Sequence, residues 1–205
     1  MRYPASRKKE SRDRILSAAA ALFRRQGIAA TGVDSVMAAA GLTAGGFYAH
    51  FRSKDALVAA AVETAGEQAV ERWLVPLRGL RGSAWAHAFL ESYLSQEHSD
   101  DRAAGCLIPS LAADVARSGT PARLRFERRL RGFFDGVLER TGKSTSAERE
   151  RAIAALALCV GGVLLSRVVI DRALSGEILA ACRASAKPLL DPPPPPRAKV
   201  RKKQP

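Results

Sequence analysis

One segment near the start of the chain constrains its fold more than any other: residues 31–55, TGVDSVMAAAGLTAGGFYAHFRSKD. It contains two short stretches of helical spacing, a turn with Gly41 between them, and the start of a longer helix. Thr31 or Gly32 is placed to cap the first helix, and Thr43 is placed to cap the second. Two short helices joined by a glycine-containing turn indicate a helix-turn-helix DNA-binding unit.

The second of these helices has an inner and an outer face. Phe47 and Phe51 are four residues apart and are predicted to pack inward, which leaves Tyr48 and His50 outside. Two successive glycines in its first turn allow its backbone to approach a duplex closely. The next helix begins with a serine followed by Lys54, where free backbone N–H groups and a cation would suit a phosphate.

The segment GLTAGGFYAHFRSKDAL resembles the recognition helix and the following helix of the TetR family of bacterial transcription regulators. The preceding helix, apolar from Ile15 to Phe23 and followed by Gly27, fits the same family. The resemblance is close over roughly the first quarter of the chain, and the rest agrees in length and helical content. It implies a repressor that binds a double-stranded DNA operator as a two-fold homodimer and is released by a small-molecule inducer.

The resemblance also implies which residues touch DNA. The first turn of the second helix lies nearest the bases, and flanking residues hold the phosphate backbone. Sequence preference is expected from Thr43, from Ala44 against a thymine methyl, from the basic N-terminal arm and from DNA shape. The alternative for Tyr48 and His50 is that they cap a hydrophobic edge and contact no ligand. The predicted base-facing residues are Thr43, Ala44, Gly45 and Gly46, and the predicted backbone contacts are Thr31, Tyr48, His50 and Lys54.

The net charge of +13 is unevenly distributed. Residues 1–54 contain ten Lys or Arg against three Asp or Glu, residues 55–190 eighteen against sixteen, and residues 191–205 five against one. This distribution favours a polyanionic partner over a generally basic surface. The three ranges are the predicted domains: a basic arm with a helix-turn-helix DNA-binding domain, a helical sensor and dimerisation domain, and a disordered, Pro-rich basic tail.

Helical spacing recurs almost everywhere, so the predicted fold class is all-α. An N-terminal three-helix helix-turn-helix domain is followed by a C-terminal helical ligand-sensing and dimerisation domain. A loop is predicted at 99–105. The predicted helices run from between residues 6 and 11 to 27, and over about 33–40, 44–51, 54–74, 84–98, 107–116, 121–142, 147–174 and 176–187.

The stretch from Ala152 to Ile170 mixes small residues, including Gly161 and Gly162, with large apolar ones. Small residues allow a second helix to approach closely. By resemblance, this helix and residues 176–187 form a four-helix bundle between two protomers. An internal core helix would have much the same sequence pattern.

The chain has features of a cytoplasmic protein. Residues 1–10 are polar and basic with no apolar run after them, and the longest apolar stretch, 152–165, is too short to cross a bilayer. Three widely spaced cysteines fit a reducing compartment better than a disulfide framework or a zinc site. We therefore expect no membrane partner, no cofactor and no bound metal.

The middle of the chain is the predicted sensor, because by resemblance inducers bind inside this helical bundle. Cys106 stands just before a short helix whose start would favour its thiolate, and Arg102 is four residues upstream. This pattern fits a cysteine that senses oxidants or electrophiles, and it also fits an ordinary buried filler. The aromatic residues likewise fit a core or a pocket. The predicted pocket residues are Trp73, Trp85, Phe89, Tyr93, Cys106, Phe126 and Phe133.

Two other classes of protein fit the sequence less well than a regulator. An enzyme has little support, because the only histidines are His50, His87 and His98 and no nucleophile elbow, phosphate loop or HExxH pair occurs. The acidic residues around His98 suggest a solvated loop rather than a metal site. An architectural DNA-coating protein without a ligand would use residues 55–190 for dimerisation alone.

Overall fold

The structure, a computed structural model, describes residues 5–142 and 145–191. All regular secondary structure in these ranges is helical, which confirms the predicted all-α class. The start of the predicted basic arm, residues 1–4, and residues 192–205 of the predicted tail lie outside them. The described α-helices are α1 (Ala5–Gln26), α2 (Val33–Ala39), α3 (Lys54–Trp73), α4 (Gly82–Tyr93), α5 (Gln96–Asp100), α6 (Leu107–Ala116), α7 (Thr120–Thr141), α8 (Ser146–Val168) and α9 (Arg172–Leu190), with a 3-10 helix (Ala44–Ala49) between α2 and α3.

Several helices begin and end at residues whose local chemistry requires it. Gly41 follows α2 with a φ of +67°, a conformation that is costly for residues with a side chain. The Ser53 hydroxyl accepts a 3.1 Å hydrogen bond from the backbone N–H of Ala56 and so caps α3. Thr145 and Glu148 form a capping box at the start of α8. These local signals explain why the predicted ends of these helices lie close to the observed ones.

Two predicted helices are interrupted in the structure. The helix predicted over 84–98 is two helices, because the Ser95 hydroxyl accepts a 3.1 Å hydrogen bond that caps α5. The helix predicted over 147–174 ends at Val168. A new helix, α9, starts soon afterwards, because the Asp171 carboxylate accepts a 2.9 Å hydrogen bond from a backbone N–H two residues on.

Helix α8 differs from the prediction in a second way. It has 23 residues and is long and apolar enough, by length and composition, to cross a membrane, whereas the apolar stretch 152–165 alone is too short. This is weak evidence for a membrane span, because core helices of soluble proteins have the same properties. Ala155, Leu156 and Val163 of α8 are buried inside the protein, as in a core helix.

The core is continuous across the predicted domain boundary at residue 54. Two hydrogen bonds tie the end of α1 to the second half of the chain. Arg24, only 7% exposed, donates from Nε to the carbonyl of Ala103 at 2.6 Å. The backbone N–H of Ile28 donates to Asp114 Oδ2 at 2.8 Å. No carboxylate of the described residues lies within ion-pair distance of Arg24, and burial lowers its pKa.

Candidate nucleic-acid interface

The predicted DNA-facing element rests on two buried aromatic rings. Phe47 and Phe51 are 1% and 4% exposed, with ring centroids 5.8 Å apart, which confirms the predicted inner face. Tyr48, between them, is 78% exposed. The element is a 3-10 helix rather than the predicted α-helix. Two glycines in a segment of six residues favour a helix too weakly to sustain α-helical turns.

The first turn of the 3-10 helix faces outward. Thr43, Ala44 and Gly45 are exposed, and Gly46 is half-buried. Thr43 has the extended backbone of a helix cap, but its hydroxyl makes no capping hydrogen bond, contrary to the predicted role. A Cβ atom at Gly45 would meet nothing within 4 Å. This edge therefore presents one hydroxyl, two methyl groups and bare backbone to a ligand.

Two arginines of α1 that are not among the predicted contacts support the candidate interface, residues 43–54. Arg12 Nη1 donates to the carbonyl of His50 at 2.6 Å, and its guanidinium lies 4.2 Å from the ring centroid of Phe51. Arg14 donates to the carbonyl of Ala40 in the turn. No local pattern in the sequence distinguishes these two arginines from the other cations of α1.

The predicted backbone contacts differ in their surroundings. His50 is half-buried, and burial, followed by the charges of Lys8 and Arg12, lowers its pKa. It is therefore neutral near pH 7 and would meet a phosphate through a hydrogen bond rather than a charge. Lys54 and Arg52 make no hydrogen bond or ion pair with residues 5–142 or 145–191, so both cations are available to a polyanion.

Thr31 does not fit the phosphate contact predicted for it. Its side chain is completely buried. The hydroxyl donates to the carbonyl of Gly27 at 2.6 Å and accepts from Gln26 Nε2 at 3.2 Å. Thr31 therefore closes the loop after α1 and has no side-chain surface for DNA.

The predicted pocket residues form a packed aromatic cluster rather than an open cavity. The rings of Trp85 and Phe89 stack with centroids 5.0 Å apart, and Tyr93 lies 5.3 Å from Phe89 and 5.0 Å from Trp73. The indole N–H groups of Trp73 and Trp85 are buried and have no hydrogen-bond acceptor among the described residues. We refer to Trp73, Trp85, Phe89 and Tyr93 as the aromatic cluster.

The remaining predicted pocket residues lie beside the aromatic cluster. Phe133 is buried with its ring centroid 6.1 Å from that of Phe89, and Phe126 is half-buried. Together with Cys106 they line a cavity of about 10 Å³. A volume of this size accommodates about one water molecule and no organic ligand.

The structure contradicts the prediction that the helix start favours a Cys106 thiolate. The side chain is fully buried, and this burial raises the pKa of the thiol. Desolvation outweighs the opposing effects of the Tyr93 hydroxyl and the nearby arginines. Arg102, four residues upstream of the cysteine, donates to the carbonyl of Arg167 at 2.9 Å.

His98, predicted to lie in a solvated loop, is instead at the centre of the core. It is 1% exposed, with its ring centroid 4.3 Å from that of Trp73. Nδ1 lies 2.6 Å from the carbonyl of Tyr93, and Nε2 accepts a 3.1 Å hydrogen bond from the backbone N–H of Cys106. A carbonyl only accepts and an amide N–H only donates, so the ring is the neutral Nδ1–H tautomer. Burial lowers its pKa to about 4.

The acidic residues around His98 form ion pairs rather than a metal site. Arg72 pairs with Asp101 at 3.0 Å, and Arg172 pairs with Asp100 at 2.8 Å. Among the described residues, no group of three or more His, Cys, Asp or Glu side chains is placed to hold a metal ion.

The face predicted to form the dimer divides into an inner and an outer part. A Cβ atom at Gly162 would lie 2.9 Å from Cys182 Cβ, so this glycine allows α8 and α9 of the same chain to pack closely. A Cβ atom at Gly161 would meet nothing within 4 Å. The outer part carries large exposed apolar side chains: Ile153, Leu164, Leu165, Val168, Ile170 and Leu174.

Comparison with known proteins also indicates a helix-turn-helix DNA-binding unit near the start of the chain. Residues 15–61 match the sequence profile of the bacterial regulatory proteins of the tetR family. The HTH-type transcriptional regulator LmrA of Bacillus subtilis (strain 168) is 29% identical over 168 residues, which cover 77% of this chain and 86% of LmrA. The uncharacterized HTH-type transcriptional regulator YerO of the same organism is 39% identical over 54 residues, 26% of this chain and 19% of YerO.

Solved structures extend the likeness to the whole fold. A TetR transcriptional regulator from Chloroflexus aurantiacus J-10-FL has a TM-score of 0.73 and 27% identity, covering 89% of this chain and 94% of its own. The reduced form of E. coli NemR has a TM-score of 0.75 and 21% identity, covering 90% and 99%. Over residues 15–61 this chain therefore has the DNA-binding region of the tetR family, and its likeness to TetR-type regulators indicates a DNA-binding transcriptional regulator rather than an enzyme.

Proposed function

We propose that this regulator is a cytoplasmic repressor that binds a palindromic operator as a homodimer. It leaves the operator when a small molecule binds the sensor half, residues 55–190. The observation that carries ligand responsiveness is the pair of buried, unpaired indole N–H groups at Trp73 and Trp85. A buried donor without an acceptor costs about 1–3 kcal/mol. A ligand that entered the aromatic cluster with its own acceptors would recover this energy.

The exposed apolar side chains of α8 and α9 support a homodimer. Val168 is 72% exposed and Ile170 is 99% exposed, and neighbouring leucines extend the same surface. Contiguous apolar surface of this kind marks protein–protein contacts. A two-fold contact through it would place two DNA-binding units in one particle, as a palindromic operator requires.

The proposed DNA contacts follow from the exposure of the candidate interface. Thr43 to Gly46 lie against base edges, whereas Tyr48, His50 and Lys54 hold phosphates. The burial of Thr31 removes its side chain from this set. Arg52, which is exposed and has no partner in the described chain, joins the phosphate contacts.

Helix α3 supplies the connection between ligand and DNA. Its first residue, Lys54, lies at the candidate interface, and its last, Trp73, belongs to the aromatic cluster. A ligand that separated the rings would displace the end of α3 and, through it, the DNA-binding unit. Such a ligand must bind the released state more tightly than the DNA-bound state, because a ligand with equal affinity for both shifts nothing.

Release by modification of a cysteine is the less favoured version of this mechanism. Cys106 is fully buried with a raised thiol pKa, and both properties slow attack on an electrophile. Treatment of the wild type and of Cys106→Ser with N-ethylmaleimide tests the point. We expect both proteins to stay on DNA equally; release of the wild type alone would favour the cysteine mechanism.

Footprinting of the DNA fragments that the protein binds in its own cell tests the proposed function. We expect protection of a short palindrome. This protection should be lost on adding a metabolite on which the proteins encoded by neighbouring genes act. Uniform coverage without a preferred site would favour an architectural protein. A palindrome whose occupancy raises transcription of the adjacent gene would contradict the proposed repression.

A further inference from the structure

The proposed function leaves unused a groove between the DNA-binding unit and the turn that joins α6 to α7. Its volume is about 540 Å³, within the range of small-molecule sites. One wall runs from His50 to Ala60, and the other from Ser118 to Arg125. We call this cavity the junction groove.

The charged lining of the junction groove has an excess of cations. Arg12, Arg52 and Arg125 line it, against one carboxylate, Asp55. Arg12 is held in place by its contacts with the carbonyl of His50 and the ring of Phe51. The two walls therefore both present guanidinium groups to the space between them.

The charge of Arg125 is only weakly balanced. Its Nη1 lies 3.6 Å from Glu63 Oε2, but that carboxylate also pairs with Arg128 at 2.5 Å and with Arg129. Burial alone would raise the pKa of Glu63, yet the hydrogen bond from Arg128 and the three arginine charges lower it. One carboxylate thus serves three cations, which leaves positive charge at the groove.

The floor of the junction groove is apolar. Phe51, Val58, Ala59 and Ala122 line it, and all four are buried. Guanidinium groups bind carboxylate, sulfonate and phosphate oxygens, and an apolar floor suits a hydrocarbon or aromatic body. Charge complementarity and the mixed lining therefore select one class of occupant.

We propose that the junction groove binds an amphipathic organic anion and that the bound anion weakens operator binding. The anion would neutralise Arg12 and Arg52 beside the candidate interface and bridge that interface to the turn before α7. Its effect on DNA rests on the proposed function, whereas its binding does not. By linkage, DNA must weaken anion binding by the same factor.

The test uses 8-anilinonaphthalene-1-sulfonate as the anionic probe, and N-phenyl-1-naphthylamine, which lacks the sulfonate, as its neutral counterpart. Gly119 lines the groove with a φ of −63°, and a Cβ atom there would lie 3.7 Å from Pro121 Cδ, so a side chain fits. Gly119→Glu adds a negative charge, and Gly119→Gln is a neutral control of similar size. Probe fluorescence is titrated on the full chain without DNA.

We expect Gly119→Glu to weaken binding of the anionic probe about tenfold, a typical effect of one nearby charge. Gly119→Gln should bind the probe like the wild type, and Arg125→Gln should bind it more weakly. The neutral counterpart should respond equally to Glu and Gln. Equal affinities of the anionic probe for the two Gly119 variants, or equal binding of both probes by the wild type, would overturn the proposal.

The outcome is separable from that of the proposed function. If the protein selects a palindrome but the Gly119 variants bind the anionic probe equally, the groove proposal fails and the regulator remains. If the probe binds in the groove but no operator exists, the proposed function fails instead. Competition supplies the remaining check: saturating operator DNA should lower the affinity of the probe, and an unchanged affinity would overturn the proposed effect on DNA.

Discussion

The DNA-binding unit and the sensor half use buried aromatic rings in opposite ways. In the first, Phe47 and Phe51 support an element whose outer residues make few contacts within the protein. In the second, rings pack on one another and around His98, and they bury polar atoms with them. Support and proposed recognition are therefore assigned to different residues in the DNA-binding unit, whereas in the proposed sensor the same residues would do both.

Adjacent residues of the 3-10 helix give the sharpest and largest test of this contrast. Phe47→Ala removes a fully buried ring and should lower the free energy of unfolding by about 3–5 kcal/mol, measured by urea denaturation. Tyr48→Ala removes an exposed ring and should change stability by less than about 1 kcal/mol while weakening DNA binding. Similar losses of stability in the two variants would contradict the separation of support from recognition.

The second prediction concerns acid stability of the sensor. The folded-state pKa of His98 is lowered to about 4, below its ordinary value of 6.5, so the unfolded chain binds a proton first as the pH falls. The free energy of unfolding should therefore decrease between about pH 6.5 and pH 4, by roughly 3 kcal/mol from this group.

Two variants isolate this contribution from that of the acidic residues. His98→Gln should lower stability at pH 7 and flatten its dependence on pH, measured by urea denaturation at a series of pH values. His87→Gln, which changes an exposed histidine, should keep the dependence of the wild type. An unchanged pH dependence in His98→Gln would show that protonation of His98 does not weaken the fold.

Two neighbouring glycines of α8 should respond with opposite signs. Gly162→Ala places a methyl group against Cys182 and Leu94 and should cost about 1–3 kcal/mol of stability. Gly161→Ala meets no neighbour and should stabilise the helix by up to about 1 kcal/mol. Urea denaturation measures both. Destabilisation by both would place Gly161 in an interface, which light scattering of Gly161→Leu would then identify as a dimer contact.

The smallest effects are expected at the candidate interface. Tyr48→Phe and Lys54→Ala should both weaken binding to all DNA sequences. Only Lys54→Ala removes a charge, so it should also reduce the slope of log affinity against log salt, by about 1. Thr43→Ala should change preference among operator variants and leave the salt slope unchanged. Fluorescence anisotropy at several salt concentrations separates the two behaviours, and equal changes from all three substitutions would contradict the assignment of contacts.

The sequence predicted the parts of the fold that depend on neighbouring residues. Gly41, Ser53 and Pro121 mark helix ends through backbone geometry or local hydrogen bonds, and the helices beside them lie where they were expected. The break between α8 and α9 was missed because Val169 and Ile170 carry no glycine or proline signal. Its one local cue, the Asp171 cap, is also common within loops.

Tertiary contacts explain the errors in the candidate sites. His98 lies among acidic residues in the sequence. Its ring is nevertheless buried and hydrogen-bonded to the backbones of Tyr93 and Cys106, away from those acidic side chains. Cys106 precedes a helix, but burial decides its pKa. Burial depends on which distant helices meet, so no pattern of near neighbours could have predicted either result.

The hydrogen bonds at the end of α1 limit how freely this DNA-binding unit can be exchanged between proteins. A chimera cut at residue 54 would separate Arg24 from the Ala103 carbonyl and Ile28 from Asp114. The first loss leaves a buried guanidinium without its acceptor, and the second leaves a backbone N–H unpaired. A chimera that joins a different DNA-binding unit to this sensor must therefore also carry matching residues at both ends of these hydrogen bonds. The segment that can be exchanged intact is larger than the DNA-binding motif.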